Sequence, residues 1–101
     1  MIRGFIIILY KKRSSVAAIE TLDVDPGFQG KGIGQSLLKA GENEMSVSGI
    51  KRMRLEVSTN NLPALHLYEK AGYRTVAYLP DFYLNRHWGT RDAFRMVKFL
   101  I

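Results

Sequence analysis

The sequence predicts an α/β fold with a mixed sheet and elements in the order β-β-α-β-α-β-β. Three observations predict it. Apolar or alternating runs of strand length recur along the chain. Two stretches between them carry apolar residues at helical spacing. Turn residues (Asp25-Pro26-Gly27, Ser48-Gly49 and Gly72) separate the runs. A length of 101 residues suits one small domain, and no repeat, low-complexity segment or linker divides it.

The apolar run Phe5–Tyr10 reads as a strand buried on both faces. The polar stretch Lys11-Lys12-Arg13-Ser14-Ser15 reads as a solvated hairpin tip. Residues 16–24 form the second strand, close enough to pair with the first as an antiparallel hairpin. Residues 30–47 read as a helix. Ile33, Leu37, Leu38, Gly41 and Met45 share its inner face, while Lys39, Glu42, Asn43 and Ser46 fall mostly outside. Residues 52–58 alternate, with Met53, Leu55 and Val57 facing one way and Arg54, Glu56 and Ser58 the other. Asn60-Asn61 offers a helix N-cap and Pro63 suits the first turn. Leu65, Tyr68 and Ala71 line the inner face of this second helix, and Gly72 is its C′ residue. Residues 73–79 and 94–101 read as strands around a long loop holding Trp88 and Gly89.

Composition narrows the function. Apolar residues make up 47% and charged residues 24%, which excludes a disordered chain. The absence of cysteine excludes a disulfide framework, a thiolate metal site and a cysteine nucleophile. Two histidines are too few for a His-rich metal cage. The longest apolar run falls far short of the ~20 residues of a membrane helix, and basic residues follow it, unlike a secretory signal. A cytoplasmic setting is therefore expected, with no membrane and no metal. A net charge of +6 favours an anionic partner such as a phosphorylated cofactor.

The stretch from Val24 to Leu38 carries the most information. A strand ends, a glycine-rich turn follows, and an amphipathic helix begins. Glycines let backbone N–H groups approach a ligand without interference from Cβ, at a helix mouth where the dipole is positive. Lys31 adds a charge. The nucleotide P-loop pattern is absent, and Gln35 stands where the dinucleotide pattern requires glycine. The turn instead reads Gln-x-x-Gly-x-Gly, in Gln29, Gly32 and Gly34. Here the chain resembles the GNAT superfamily of acetyl-CoA-dependent N-acetyltransferases. The resemblance implies that Gln29, Gly30, Lys31, Gly32, Gly34 and Gln35 wrap the coenzyme A pyrophosphate. It also implies that backbone groups near Leu22 to Val24 meet the thioester carbonyl.

A second stretch supports the resemblance. Residues 55–73 run through a strand, Asn61, a short helix with Leu67-Tyr68, then Gly72-Tyr73, which is similar to the family's later motif. The resemblance places Asn61 at the pantetheine arm or a nearby backbone group, and the Tyr68 hydroxyl beside the leaving thiolate. Glu20 is an unusual carboxylate on a largely apolar strand and a candidate proton acceptor. Tyr83 is a second candidate acid. It and the segment Asp92 to Met96 resemble the branch that acetylates protein N-termini, including ribosomal-protein-alanine acetyltransferases. His66 reads as a surface or packing residue, and His87 and Trp88 as loop anchors, with the lining of an acceptor cleft as their alternative.

The resemblance implies a further strand and one or two helices ahead of the hairpin with which this sequence opens, and their absence is the expectation here. Uncovered apolar surface is therefore expected around Phe5–Leu9, and with it a homodimer or higher oligomer. The leading expectation is acetyl-CoA-dependent transfer to a primary amine, on a protein N-terminus or a small molecule. The alternatives are a non-catalytic acyl-CoA-binding module and a nucleic-acid binder. The last lacks an RNA-binding motif, and its aromatics do not interleave with its basic residues.

Overall fold

The structure is a computed structural model and describes residues 3–100. Its elements are strand β1 (Gly4–Tyr10), strand β2 (Val16–Val24), helix α1 (Ile33–Val47), strand β3 (Arg52–Ser58), helix α2 (Leu62–Lys70), strand β4 (Arg74–Leu79) and strand β5 (Ala93–Phe99). The five strands follow the order β1-β2-β3-β5-β4. The α/β class and the element order agree with the sequence reading. The chain divides into two compact units. One comprises the residues up to Met53 with Phe99 and Leu100, and the other is Arg54–Lys98.

In the first unit, β1 and β2 form an antiparallel hairpin, and α1 packs on it. Ile6 and Ile8 turn toward the helix. The approach is so close that a Cβ on Gly41 would lie 2.7 Å from Ile8 Cδ1. Ala17, Ile19, Leu38, Met45, Ile50 and Met53 are the buried apolar side chains among the described residues of this unit. Strand β1 is not buried on both faces as the apolar run suggested: Phe5, Ile7 and Leu9 are exposed, and only the alternate residues are covered. The hairpin register shifts between Ile7 and Ile8, whose partners are Thr21 and Ile19. Glu20 is the extra residue, so it sits in a β-bulge.

Helix α1 begins at Ile33, three residues later than its pattern suggested, because Gly30 and Gly32 adopt φ of 80° and 78°. Those left-handed values cannot continue a right-handed helix. Glu42, placed outside by its polarity, is buried.

The core of the second unit holds Leu55, Val57, Tyr68, Tyr73, Ala93 and Met96. Strand β4 pairs antiparallel with β5. Asn61 caps α2 by accepting a hydrogen bond from the Ala64 N–H at 3.2 Å, and Pro63 sits in the first turn, where its missing donor costs nothing. Gly72 follows the helix at φ 99°, the expected C′ conformation. Among the described residues no helix is long and apolar enough to cross a membrane.

Candidate functional site

In the first unit the candidate residues cluster where β2 runs into α1. Asp25 starts a single 3-10 turn, Pro26–Phe28, and its Oδ1 accepts from the Gly27 N–H at 2.9 Å. The Gln29 side chain donates to the Val24 carbonyl at 3.2 Å, folding the turn back on the end of the strand. Gly30 and Gly32 follow in left-handed conformation. A Cβ at either would meet nothing within 4 Å, so the space over both backbones is open. Gly32 is the N-cap of α1 and offers no side-chain hydrogen bond to the first turn. The positive end of the helix dipole thus opens onto exposed backbone. Lys31 is exposed, and its Nζ lies 5.7 Å from the Phe28 ring centroid, while Arg3 Cζ lies 4.8 Å from it. Gly34 is buried and Gln35 half-buried in the helix. Leu22 and Val24 are half-buried on β2, opposite Ile6 and Gly4. Glu20 is exposed in the bulge on the same strand.

In the second unit, Tyr68 and Tyr83 come together with a residue that the sequence reading did not single out, Glu56. Tyr68 is buried on α2, its ring edge-on to Tyr73 at 5.8 Å. Burial, and next the neighbouring Tyr83, push its phenol up to about 12. Tyr83 is half-buried and stacks on the His87 ring at 4.0 Å and 30°. Its phenol is also raised, first by burial and then by the charge of Glu56. Glu56 Oε2 accepts from Arg54 Nη1 and from Arg95 Nε, each at 2.8 Å. The carboxylate is mostly covered, and its two guanidinium partners are about one-third exposed. Nothing in the sequence pattern flagged Glu56 beyond its place opposite the apolar face of β3, because Arg95 lies 39 residues away.

Residues 80–92 form the loop that carries Tyr83, and the end of β3 grips its backbone. Ser58 Oγ donates to the His87 carbonyl at 2.7 Å, and Asn60 Nδ2 donates to the Trp88 carbonyl at 3.0 Å. The Thr59 N–H donates to the Asp92 carbonyl at 3.1 Å. Tyr83 itself is tied to Arg91, its N–H donating to the Arg91 carbonyl and its carbonyl accepting from Arg91 Nε. The Asp92 carboxylate accepts first from the Asp81 N–H and then from Tyr78 Oη, which holds its carboxyl below the usual range. His87 and Trp88 anchor the loop through their carbonyls, and the His87 ring adds its contact with Tyr83. His66 is exposed on α2. Asn61 Oδ1 is taken by the cap bond, which satisfies the nearby backbone group.

Comparison with known proteins agrees with this picture. Residues 2–73 match the Acetyltransferase (GNAT) family. The chain is 41% identical over 59 residues to the mycothiol acetyltransferase of Propionibacterium freudenreichii, covering 58% of this chain and 19% of that protein. It is 34% identical over 84 residues to the [ribosomal protein bS18]-alanine N-acetyltransferase of Haemophilus ducreyi, covering 83% of this chain and 58% of the relative. The match thus spans less than two thirds of either relative. Among solved structures, Arabidopsis thaliana Naa50 in complex with the bisubstrate analogue CoA-Ac-MVNAL superposes with a TM-score of 0.84 at 30% identity, over 94% of this chain and 64% of that one. With the glycine turn, the capped second helix and the family match in agreement, the chain belongs to the GNAT acetyltransferase family.

Proposed function

We propose that this chain transfers the acetyl group of acetyl-CoA directly to a primary amine, and that the amine is a peptide N-terminus. The observation that carries the proposal is the open glycine turn at the uncapped start of α1, in a chain whose relatives are acetyltransferases. Gln29, Gly30, Lys31, Gly32, Gly34 and Gln35 hold the pyrophosphate through backbone N–H groups and one cation. Leu22 and Val24 offer backbone groups to the acyl end, and Asn61 stands at the pantetheine arm. The likeness to bS18-alanine acetyltransferases, and to a structure holding a peptide-bearing analogue, supports a peptide acceptor over a small amine.

The side chains divide the proton work. Tyr68, with its phenol at about 12, stays protonated at every physiological pH. A thiol of ordinary pKa near ~8.5 lies roughly 3.5 units below it, so complete proton transfer to the leaving sulfur is uphill by about 5 kcal/mol. Tyr68 therefore acts by donating a hydrogen bond to that sulfur. Tyr83 serves as the second donor. The second proton of the incoming ammonium passes to the departing sulfur as the C–S bond breaks, and its first is lost before attack to a carboxylate. Glu56 is the one whose charge reaches Tyr83, and Glu20 in its bulge is the other. We further propose that the exposed stripe Phe5, Ile7 and Leu9 on edge strand β1 is covered by a second copy, in the cytoplasm. Constant monomeric mass in light scattering across concentrations would reject that pairing.

Calorimetric titration with acetyl-CoA, with coenzyme A as control, tests the central reading. Saturable binding at about one per chain is expected, followed by coenzyme release on adding peptides with a free N-terminus. A folded sample that binds no acetyl-CoA refutes it. No observation favours a non-catalytic binding module.

A further inference from the structure

The glycine turn uses one or two of the chain's cations. A second group lies at the far end of the first unit. The tip of the β1–β2 hairpin carries Lys11, Lys12 and Arg13, all exposed. The Ser14 N–H donates to the Lys11 carbonyl and closes the turn. The Ser15 carbonyl accepts from both the Lys51 and Arg52 N–H groups, at 2.8 and 3.0 Å. That pair of backbone bonds brings two more exposed cationic residues, Lys51 and Arg52, beside the tip. None of these five side chains takes part in an ion pair among the described residues. Arg52 stands over the Phe99 ring at 6.0 Å, and Phe99 is 70% exposed. The cluster is separated from the glycine turn by the length of β2, about 25 Å at ~3.3 Å per residue. It is therefore not part of the pyrophosphate cradle.

We propose that this end of the molecule binds a single strand of RNA, with the five cations on its phosphates and a base stacked on Phe99. Five unpaired cations at one place ask for a polyanion. An exposed aromatic face beside a guanidinium adds what a nucleic acid has and an acidic peptide lacks, a flat base to stack. The sequence alone does not show this pairing of aromatic and basic residues, because Phe99 is 47 positions from Arg52 and brought to it by the fold.

The test is fluorescence anisotropy with a labelled oligouridylate, against polyglutamate and anionic lipid vesicles. At ~0.7 counterions released per phosphate contact on a single strand, five contacts give a log–log salt slope of about −3.5. Raising salt from about 50 to about 200 mM should then weaken binding roughly 100-fold. The triple variant Lys11→Gln, Lys12→Gln, Arg13→Asn should retain its thermal unfolding and lose most of that dependence, leaving a slope near about −1.4. Asparagine is chosen at position 13 because φ there is 68°. Should that variant not fold, Phe99→Ala carries the test, with an expected loss of about 5-fold to 100-fold in affinity. Three results overturn the proposal: no RNA binding at low salt, equal binding by both variants and the parent, or equal or tighter capture of polyglutamate or vesicles.

Discussion

Replacing Tyr68 by Phe separates packing from proton chemistry at the centre of the second unit. The ring and its edge-on contact with Tyr73 survive the change, and only the hydroxyl goes. The phenol rises from 10.0 to about 12 on folding, chiefly through burial. Two units correspond to about 2.7 kcal/mol favouring the neutral over the ionised form. Because the folded value lies above the unfolded one, that contribution is fully present below pH 10 and is lost as pH rises through about 12. By about pH 11 roughly half of it, ~1.4 kcal/mol, should be gone. Denaturant unfolding of both proteins from neutral pH upward reads this directly. The parent should lose stability relative to the phenylalanine variant by that amount, and an ultraviolet tyrosinate titration should lose its last-ionising group in the variant. Turnover at neutral pH should fall by about 10²-fold or more while acetyl-CoA affinity stays nearly intact. Parallel stability curves would refute the burial argument, and unchanged turnover would refute the donor role.

Three further outcomes are expected. Gly32→Ala places a Cβ in open space but forces alanine to φ 78°, costing about 1–2 kcal/mol, and should weaken acetyl-CoA binding at least tenfold by calorimetry; unchanged affinity would remove the turn from the site. Ser58→Ala removes the donor to the His87 carbonyl, worth about 1–3 kcal/mol, and should raise protease sensitivity within residues 80–92 and lower turnover; resistance equal to the parent would show the bond to be dispensable. Asp92 is held below the usual carboxylate range, so its contribution is present above about pH 4 and lost as pH falls below it. The protection of the Asp81 amide against hydrogen exchange, taken relative to the intrinsic rate at each pH, should therefore fall under acid in the parent, with no such acid step in Asp92→Asn.

What was legible in the sequence was what depends on near neighbours. Strands β2 and β3 end where their patterns end, because burial alternates residue by residue. Asn61, Pro63 and Gly72 announced the limits of α2, because capping chemistry is local. Glycine spacing announced the turn but not the three-residue delay of α1, which follows from two positive φ values. The bulge at Glu20 was invisible, since it is a property of the pairing of two strands. Glu56 was missed for a similar reason. Its importance comes from Arg95 and Tyr83, whose approach only the folded sheet and loop create.

The grip of β3 on residues 80–92 bears on how this chain can change. Ser58, Thr59 and Asn60 hold carbonyl oxygens, which every amino acid supplies. The clamp is therefore blind to the side chains displayed between Tyr83 and Arg91. Leu84 and Asn85 are exposed and can vary without loosening the bonds that hold the loop, whereas Arg86 donates from Nη1 to the Gly89 carbonyl and belongs to those bonds. Libraries randomised at those two positions should stay folded, so this stretch of the loop can accumulate change, whether by mutation over generations or at the bench.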